Sequence, residues 1–148
     1  VAAVFVDTNV LVYCEDAAFP RKQARAIEWL ELLWRTRRGR LSVQVLDEFY
    51  VTLTRKLKPA FPTGDARAEV RRYQTWQPLT QDHALMEAAW AFEVRYGLSF
   101  WDSLIVASAQ QLGCELLLSE DLQHGQRFGG LQVIDPFKVA PAEVGLAS

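Results

Sequence analysis

Apolar residues fall into two kinds of run along this chain. Short, mostly apolar stretches sit at Ala2 to Val6, Leu41 to Val43, Leu116 to Leu118 and Leu131 to Ile134, each followed by a polar residue. Runs so brief suit the strands of a parallel sheet covered on both faces. Between them lie longer stretches with helical spacing. Pro20 opens one as a first-turn residue, and its apolar positions Ala24, Ile27, Trp29, Leu30, Leu33 and Trp34 form a stripe broader than one buried face needs. The basic stretch from Arg35 to Arg40 follows, with Gly39 as its stop and loop.

Val45, Phe49, Leu53 and Leu57 recur one turn apart between Gln44 and Leu57. Another helix is expected from Thr63 or Asp65, either of which can cap it, to about Trp76. Thr80 caps the next, with Leu85, Ala88, Ala89, Phe92 and Tyr96 on one face and Gly97 closing it. Ser99 starts a further helix that Gly113 ends, and a turn or two of helix suits Asn9 to Cys14. Ser119 to Gly130 reads as a polar loop. Strands alternating with helices predict an α/β fold, with a mainly parallel central sheet of about 4–5 short strands flanked by helices.

With 148 residues the chain is expected to hold one domain. Its body spans residues 1–137, followed by a small, turn-rich peripheral tail at 138–148. Apolar residues at 50% and charged residues at 23% exclude a disordered chain. A formal net charge of −2 excludes a protein held to nucleic acid by net charge, though not one with a local basic patch. Cys14 and Cys114 lie outside any C-x-x-C pair and read as buried free thiols, which fits a reducing cytoplasm. No run approaches the length of a membrane span, and Val1 to Val6 reads as a strand rather than a signal peptide.

In parallel sheets ligands bind outside the carboxyl ends of the strands, so the polar residues just after strands are the ones to inspect. Asp7 follows the first strand, and Asp121 comes shortly after the Leu116 to Leu118 strand. Asp102 sits in the first turn of the helix that Ser99 opens, and Glu48 is on the second helical turn after Leu41 to Val43. Four carboxylates gathered at one rim repel and raise one another's pKa values, and a divalent cation removes that cost. Mg²⁺ or Mn²⁺ suits an all-oxygen set, whereas two histidines and two scattered thiols do not make a zinc site. Ser99 and Asp102 also have capping-box spacing, which occupies one carboxylate oxygen and leaves the other. Asp121 alone fits an Asx turn. Glu48 is preferred to Asp47 because it precedes Phe49 of the apolar stripe, near the buried side.

The string Phe5-Val6-Asp7-Thr8-Asn9-Val10-Leu11-Val12-Tyr13 resembles the opening of PIN domains, most closely the VapC-type toxins of toxin–antitoxin pairs. Resemblance continues in family order at Leu46-Asp47-Glu48-Phe49, Trp101-Asp102-Ser103-Leu104-Ile105-Val106-Ala107 and Leu118-Ser119-Glu120-Asp121-Leu122-Gln123-His124-Gly125. It implies a PIN-like fold and a metal-dependent ribonuclease. Asp7, Glu48, Asp102 and Asp121 match the family's acidic quartet. Thr8 or Asn9 matches the polar support of the first acid, and Ser103 a polar position beside the third. Ser119 stands where the family usually has Thr and keeps the hydroxyl. Glu120 is either an outer ligand or an exposed residue.

The resemblance further implies RNA as substrate, a homodimer and a small antitoxin that covers the groove. Grip on RNA would come from Arg21, Lys22 and Arg25, from Arg35 to Arg40, from Arg55, Lys56 and Lys58, or from Arg127, which shares the loop of Asp121. His124 lies near the same rim and is a possible substrate contact, although a loop-surface role suits it better. Five tryptophans and the broad face of the Pro20 to Trp34 helix exceed what one small core wants and suggest a partner surface. Two other readings of the resemblance are a PIN-type processing nuclease outside toxin–antitoxin systems and a catalytically silent RNA- or protein-binding scaffold. A dehalogenase-type phosphatase needs a second Asp where Asn9 stands, and a dinucleotide-binding domain needs a G-x-G-x-x-G after the first strand.

Overall fold

The structure is a computed structural model, and it describes residues 2–146. Five strands form one sheet in the order β2-β1-β3-β5-β4. They are β1 (Val4–Val6), β2 (Gly39–Arg40), β3 (Leu116–Leu118), β4 (Arg127–Phe128) and β5 (Leu131–Ile134). All neighbours run parallel except the β4–β5 hairpin. The register sets Val6, Leu118 and Ile134 level with one another, so three strands end on one rim. Helices α1 (Thr8–Glu15), α2 (Pro20–Thr36), α3 (Val43–Val51), α4 (Thr63–Arg72), α5 (His83–Tyr96) and α6 (Phe100–Gln111) surround the sheet. Val4, Phe5, Val6, Leu117, Leu118 and Val133 are wholly buried, as strands with both faces covered require.

Strands β3 and β5 and helices α2 and α6 lie where the apolar pattern puts them. The second strand does not. It forms at Gly39–Arg40, ahead of Leu41 to Val43, because Ser42 already caps α3 by accepting from the Val45 N–H at 3.3 Å. Gly39 therefore belongs to the sheet, and α2 ends instead at Arg37, whose backbone is left-handed (φ 58°). A side chain at Gly39 would drive its Cβ to 2.2 Å from the Trp76 ring, so only glycine fits this crossing.

Asp82, not Thr80, caps α5 through the Leu85 N–H. Neither Thr63 nor Asp65 caps α4, whose N-cap is Pro62. The helix expected from Gln44 to Leu57 is α3 followed by a π-helical turn at Thr52–Lys56, and the one expected to reach Trp76 is α4 followed by a 3₁₀ turn at Tyr73–Trp76. The polar loop contains β4, whose two residues carry no readable apolar pattern.

Most of the broad apolar face of α2 is absorbed inside the fold, while Ala24 and Ile27 stay exposed. Ala26, Trp29, Leu30, Leu32 and Leu33 are buried, and Trp34 packs on Trp76 with ring centroids 5.0 Å apart. Exposed apolar bulk also lies on α5 and α6, at Trp90, Val94 and Trp101. The segment after Asp135 lies over α2: Trp29 Nε1 donates to the Val139 carbonyl at 3.1 Å, and Pro141 and Leu146 are buried. Cys14 and Cys114 are free. Among the described residues no helix is long and apolar enough to cross a membrane.

Candidate active site

The rim at the strand ends is built from Asp7 outward. Asp7 closes β1 and caps α1, its carboxylate accepting from the Thr8 N–H at 2.8 Å. The Asp7 N–H pairs with the Leu118 carbonyl at 3.0 Å, which sets Asp7 beside the first residues after β3. There Ser119 donates its hydroxyl to Asp7 Oδ2 at 2.8 Å. The same hydroxyl accepts the N–H groups of Asp121 (3.2 Å) and Leu122 (3.3 Å), so one buried side chain shapes the turn and orients its acid. Asn9, on the first turn of α1, donates to Asp121 Oδ2 at 3.1 Å and to Asp7 Oδ2 at 3.5 Å, and its own oxygen accepts the Glu120 N–H at 3.2 Å.

Glu48 comes from α3. Its Oε2 accepts from Thr8 Oγ1 at 2.9 Å and its Oε1 from Gln44 Nε2 at 3.0 Å. It is exposed at the cleft rather than near the buried side, and these two tethers hold it. Asp102 sits in the first turn of α6, where its N–H donates to Ser99 Oγ at 3.1 Å. Ser103 beside it is fully buried, with its hydroxyl unpartnered.

Electrostatics show that the four acids share one field. Burial pushes the Asp7 carboxyl up to about 6, against its hydrogen bonds from Ser119 and Thr8, and the charges of Asp121 and Glu48 push the same way. Asp102 is raised too, first by burial and then by Asp121 and Glu48. Among the described residues no lysine or arginine forms an ion pair with any of the four. Every donor that meets them is a neutral hydroxyl, amide or backbone N–H. No three acid, histidine or cysteine groups among the described residues stand in a ready-made coordination cage. The chemistry of the set nonetheless fits a hard divalent cation: oxygen donors only, mutually repelling, without an internal counter-charge.

A cleft of about 690 Å³ opens on this rim, lined by Thr8, Asn9, Glu48 and Asp121 together with Tyr13 and Lys56. Beside it a cavity of about 620 Å³ shares Asp47 and Glu48 and is walled by Val43, Leu79, Trp101 and Leu104. Lys56 reaches the cleft from the π-helical turn. Gln44 was not anticipated from the sequence, although its spacing from Glu48, one helical turn, is the available signal.

Three expected contributors lie elsewhere or are otherwise engaged. Glu120 lines the same cleft as Asp121 and is engaged there, pairing with Lys22 and accepting from Tyr13 Oη at 3.2 Å. His124 accepts the Asp135 N–H on its Nδ1 at 3.0 Å, which pins the loop. Arg127 is on edge strand β4 opposite Gln132, which is level with the start of β3 rather than its end. The structure therefore places Arg127 toward the far end of the sheet from Asp121.

A PIN domain family model matches residues 4–127 of this chain. Among solved structures, the chain is similar to the Mycobacterium tuberculosis toxin VapC20, which cleaves the sarcin-ricin loop. The TM-score is 0.62 at 24% identity, covering 80% of this chain and 92% of that one. No curated protein sequence gives a significant match.

Proposed function

The chain belongs to the PIN domain family, and from that premise we propose that it is a metal-dependent endoribonuclease of the VapC toxin type. The observation that carries this reading is the rim itself. Asp7, Glu48, Asp102 and Asp121 arrive from four separate segments, share one electrostatic field, and have only neutral groups for partners.

Asp7, Asp102 and Asp121 would hold Mg²⁺ or Mn²⁺, with Glu48 at the edge of the set. The ion, when bound, would neutralise charge on the attacked phosphate and acidify a water. The protein's own residues do the positioning. Ser119 and Asn9 fix the carboxylates of Asp7 and Asp121 in place, so that no reorganisation is needed when substrate arrives. Glu48, held by Thr8 and Gln44 but open to the cleft, orients the attacking water and takes its proton. Lys56 on the cleft wall meets the RNA backbone. Attack of water on phosphorus breaks the P–O3′ bond, and the leaving oxygen takes a proton from solvent, giving a 5′-phosphate and a 3′-hydroxyl. No histidine is required.

The toxin reading also assigns a cytoplasmic site of action, an antitoxin that covers the cleft, and a homodimer. The exposed Trp90, Val94 and Trp101 support a protein-covered face on α5 and α6. A monomer at micromolar concentration in a size measurement removes the dimer.

The deciding experiment is cleavage of cellular RNA, intact ribosomes included because VapC20 is a sarcin-ricin loop cleaving toxin. It compares added Mg²⁺ or Mn²⁺, EDTA, and the variant Asp102→Asn. Discrete products that disappear with EDTA and fall at least about a hundredfold in Asp102→Asn are expected. Cutting that survives both changes, or no cutting together with no metal binding, overturns the proposal.

A further inference from the structure

We propose that the opposite end of the sheet carries a second site, which binds a phosphate group. A cavity of about 570 Å³ lies where β2 begins, lined by Trp34, Arg37, Gly39, Arg40, Trp76 and neighbouring residues of the turn that follows α4. Gly39 is paired with Val4, the first residue of β1, so this cavity faces away from the strand ends that carry the acids. Three independent observations mark it as built for an anion.

The first is charge. Arg37, Arg38 and Arg40 crowd one short connection, and among the described residues none of them forms an ion pair with a carboxylate. Arg40 uses Nη1 to hold the Arg37 and Gly39 carbonyls at 3.0 and 2.9 Å, which fixes the guanidinium in place without neutralising it. In a chain of net charge −2 this concentration is local and not a general surplus.

The second is unmet hydrogen bonding. Trp34 Nε1, which faces the Tyr73 hydroxyl, and Arg38 Nε, on the connection beside the cavity, are buried without a well-formed hydrogen bond. Both are donors, and a buried donor left without an acceptor is costly enough to call for an explanation. Donors alone, with no carboxylate among them, are complementary to an oxyanion with several acceptor oxygens.

The third is the backbone. Among the described residues only two non-glycine residues have positive φ, Arg37 (58°) and Gln77 (54°), and both line this cavity. Left-handed backbone at such residues is held against a steric cost and collects at ligand sites. Here it ends the two helical segments that border the cavity, where the Trp76 ring lies against Gly39.

The ligand chemistry is a phosphate group. Two sources share that chemistry, a backbone phosphate of RNA and a free phosphate or mononucleotide. The RNA source rests on the nuclease reading and would place the bound strand around the sheet from the cut site. The free-phosphate source is independent of it. Calorimetry with inorganic phosphate and binding of a short labelled single-stranded RNA, both in EDTA so that nothing is cut, separate them. The proteins compared are the unaltered chain, Arg37→Gln, Trp34→Phe and, as a control on α5, Arg95→Gln.

Phosphate should bind the unaltered chain and Arg95→Gln, and bind Arg37→Gln about tenfold more weakly, the effect of losing one charge-assisted hydrogen bond. Trp34→Phe, which keeps the ring and removes only the buried donor, should also weaken it. If RNA is the source, the slope of log affinity against log salt falls by about 0.7 in Arg37→Gln. Loss of phosphate binding with an unchanged RNA slope assigns the site to a free phosphate or mononucleotide. Absence of phosphate binding, together with RNA binding equal in all four proteins, overturns the site. Metal-dependent cleavage by the unaltered chain is scored separately, so failure here and failure of the nuclease reading do not mimic each other.

Discussion

The two ends of the sheet gather opposite charges and treat them differently. At the carboxyl ends of the strands, four acids crowd together, and the fold meets them with neutral donors: the hydroxyls of Ser119 and Thr8 and the amide of Asn9. At the other end, three arginines crowd one turn, two of them lining a cavity, and two buried donors near them lack a well-formed hydrogen bond. Either end would be more stable with its like charges dispersed. Both read as places where the chain holds strain that a ligand relieves, a cation at one and an anion at the other. If so, substitutions that remove the strain should raise stability and lower ligand binding together, whereas a substitution in the packing between the ends should only lower stability.

Asp7→Asn tests the acid end and has the largest expected effect. The Asp7 carboxyl is raised from 3.8 to about 6, so between those values the native state holds a proton that the unfolded chain has released. Stability therefore falls as pH rises from about 4 to 6 and stays reduced above it. The shift is worth about 3 kcal/mol at neutral pH, and about 2 kcal/mol once the loss of one carboxylate acceptor is counted. In EDTA at pH 7, Asp7→Asn should thus unfold at higher denaturant than the unaltered protein, with the gain fading below pH 4. Added Mg²⁺ should stabilise the unaltered protein and not the variant, and RNA cleavage should be lost. An Asn variant that is less stable than the unaltered protein at pH 7 breaks the comparison.

Gly39→Ala tests the packing between the two ends. Its Cβ would fall 2.2 Å from the Trp76 ring, and that ring is wedged against Trp34 and Tyr73 and cannot swing aside. Overpacking of this kind costs about 1–3 kcal/mol. Denaturant unfolding should show the loss, and metal-dependent cleavage by the folded fraction should be retained, since no acid is touched. Wild-type stability in this variant would mean that the β2 crossing is loose and that the arginine cavity is not a fixed shape.

Gly39 also shows where sequence reading stops. Strands β3 and β5 were legible because their apolar runs are buried locally, on both faces, whatever their partners. A two-residue Gly-Arg strand has no such signature. Its place is set by the ring of a tryptophan far along the chain, and Leu41, the apolar residue that drew attention, is buried without being in a strand. The acids were legible because the ends of parallel strands are where ligands bind, which needs only strand positions and polar residues. The links among them were not, since Thr8 to Glu48 and Asn9 to Asp121 join segments distant in sequence. The position of Arg127 is hidden for the same reason. It shares a loop with Asp121, but a hairpin that no apolar pattern announces carries it toward the other end of the sheet.

Arg37→Gly carries the smallest effect and bears most directly on whether the arginine end is strained for a purpose. Arg37 terminates α2 with φ 58° and ψ 29°, a left-handed conformation that costs a side-chain-bearing residue about 1–2 kcal/mol and glycine nothing. Glycine also loosens the unfolded chain, which returns part of the gain, so the net stabilisation should be about 0.5 kcal/mol. That is small but measurable by paired denaturant titrations, and its sign is what matters. Arg37→Gln keeps the strain and loses the charge, so it should leave stability unchanged while weakening phosphate binding to the same degree as Arg37→Gly. Glycine above glutamine in stability, with equal loss of phosphate affinity, shows that the backbone strain and the guanidinium are separable and that the chain retains both. Equal stability of the two variants would mean that the left-handed turn is relaxed in its surroundings, leaving the acid rim as the strained end of the sheet.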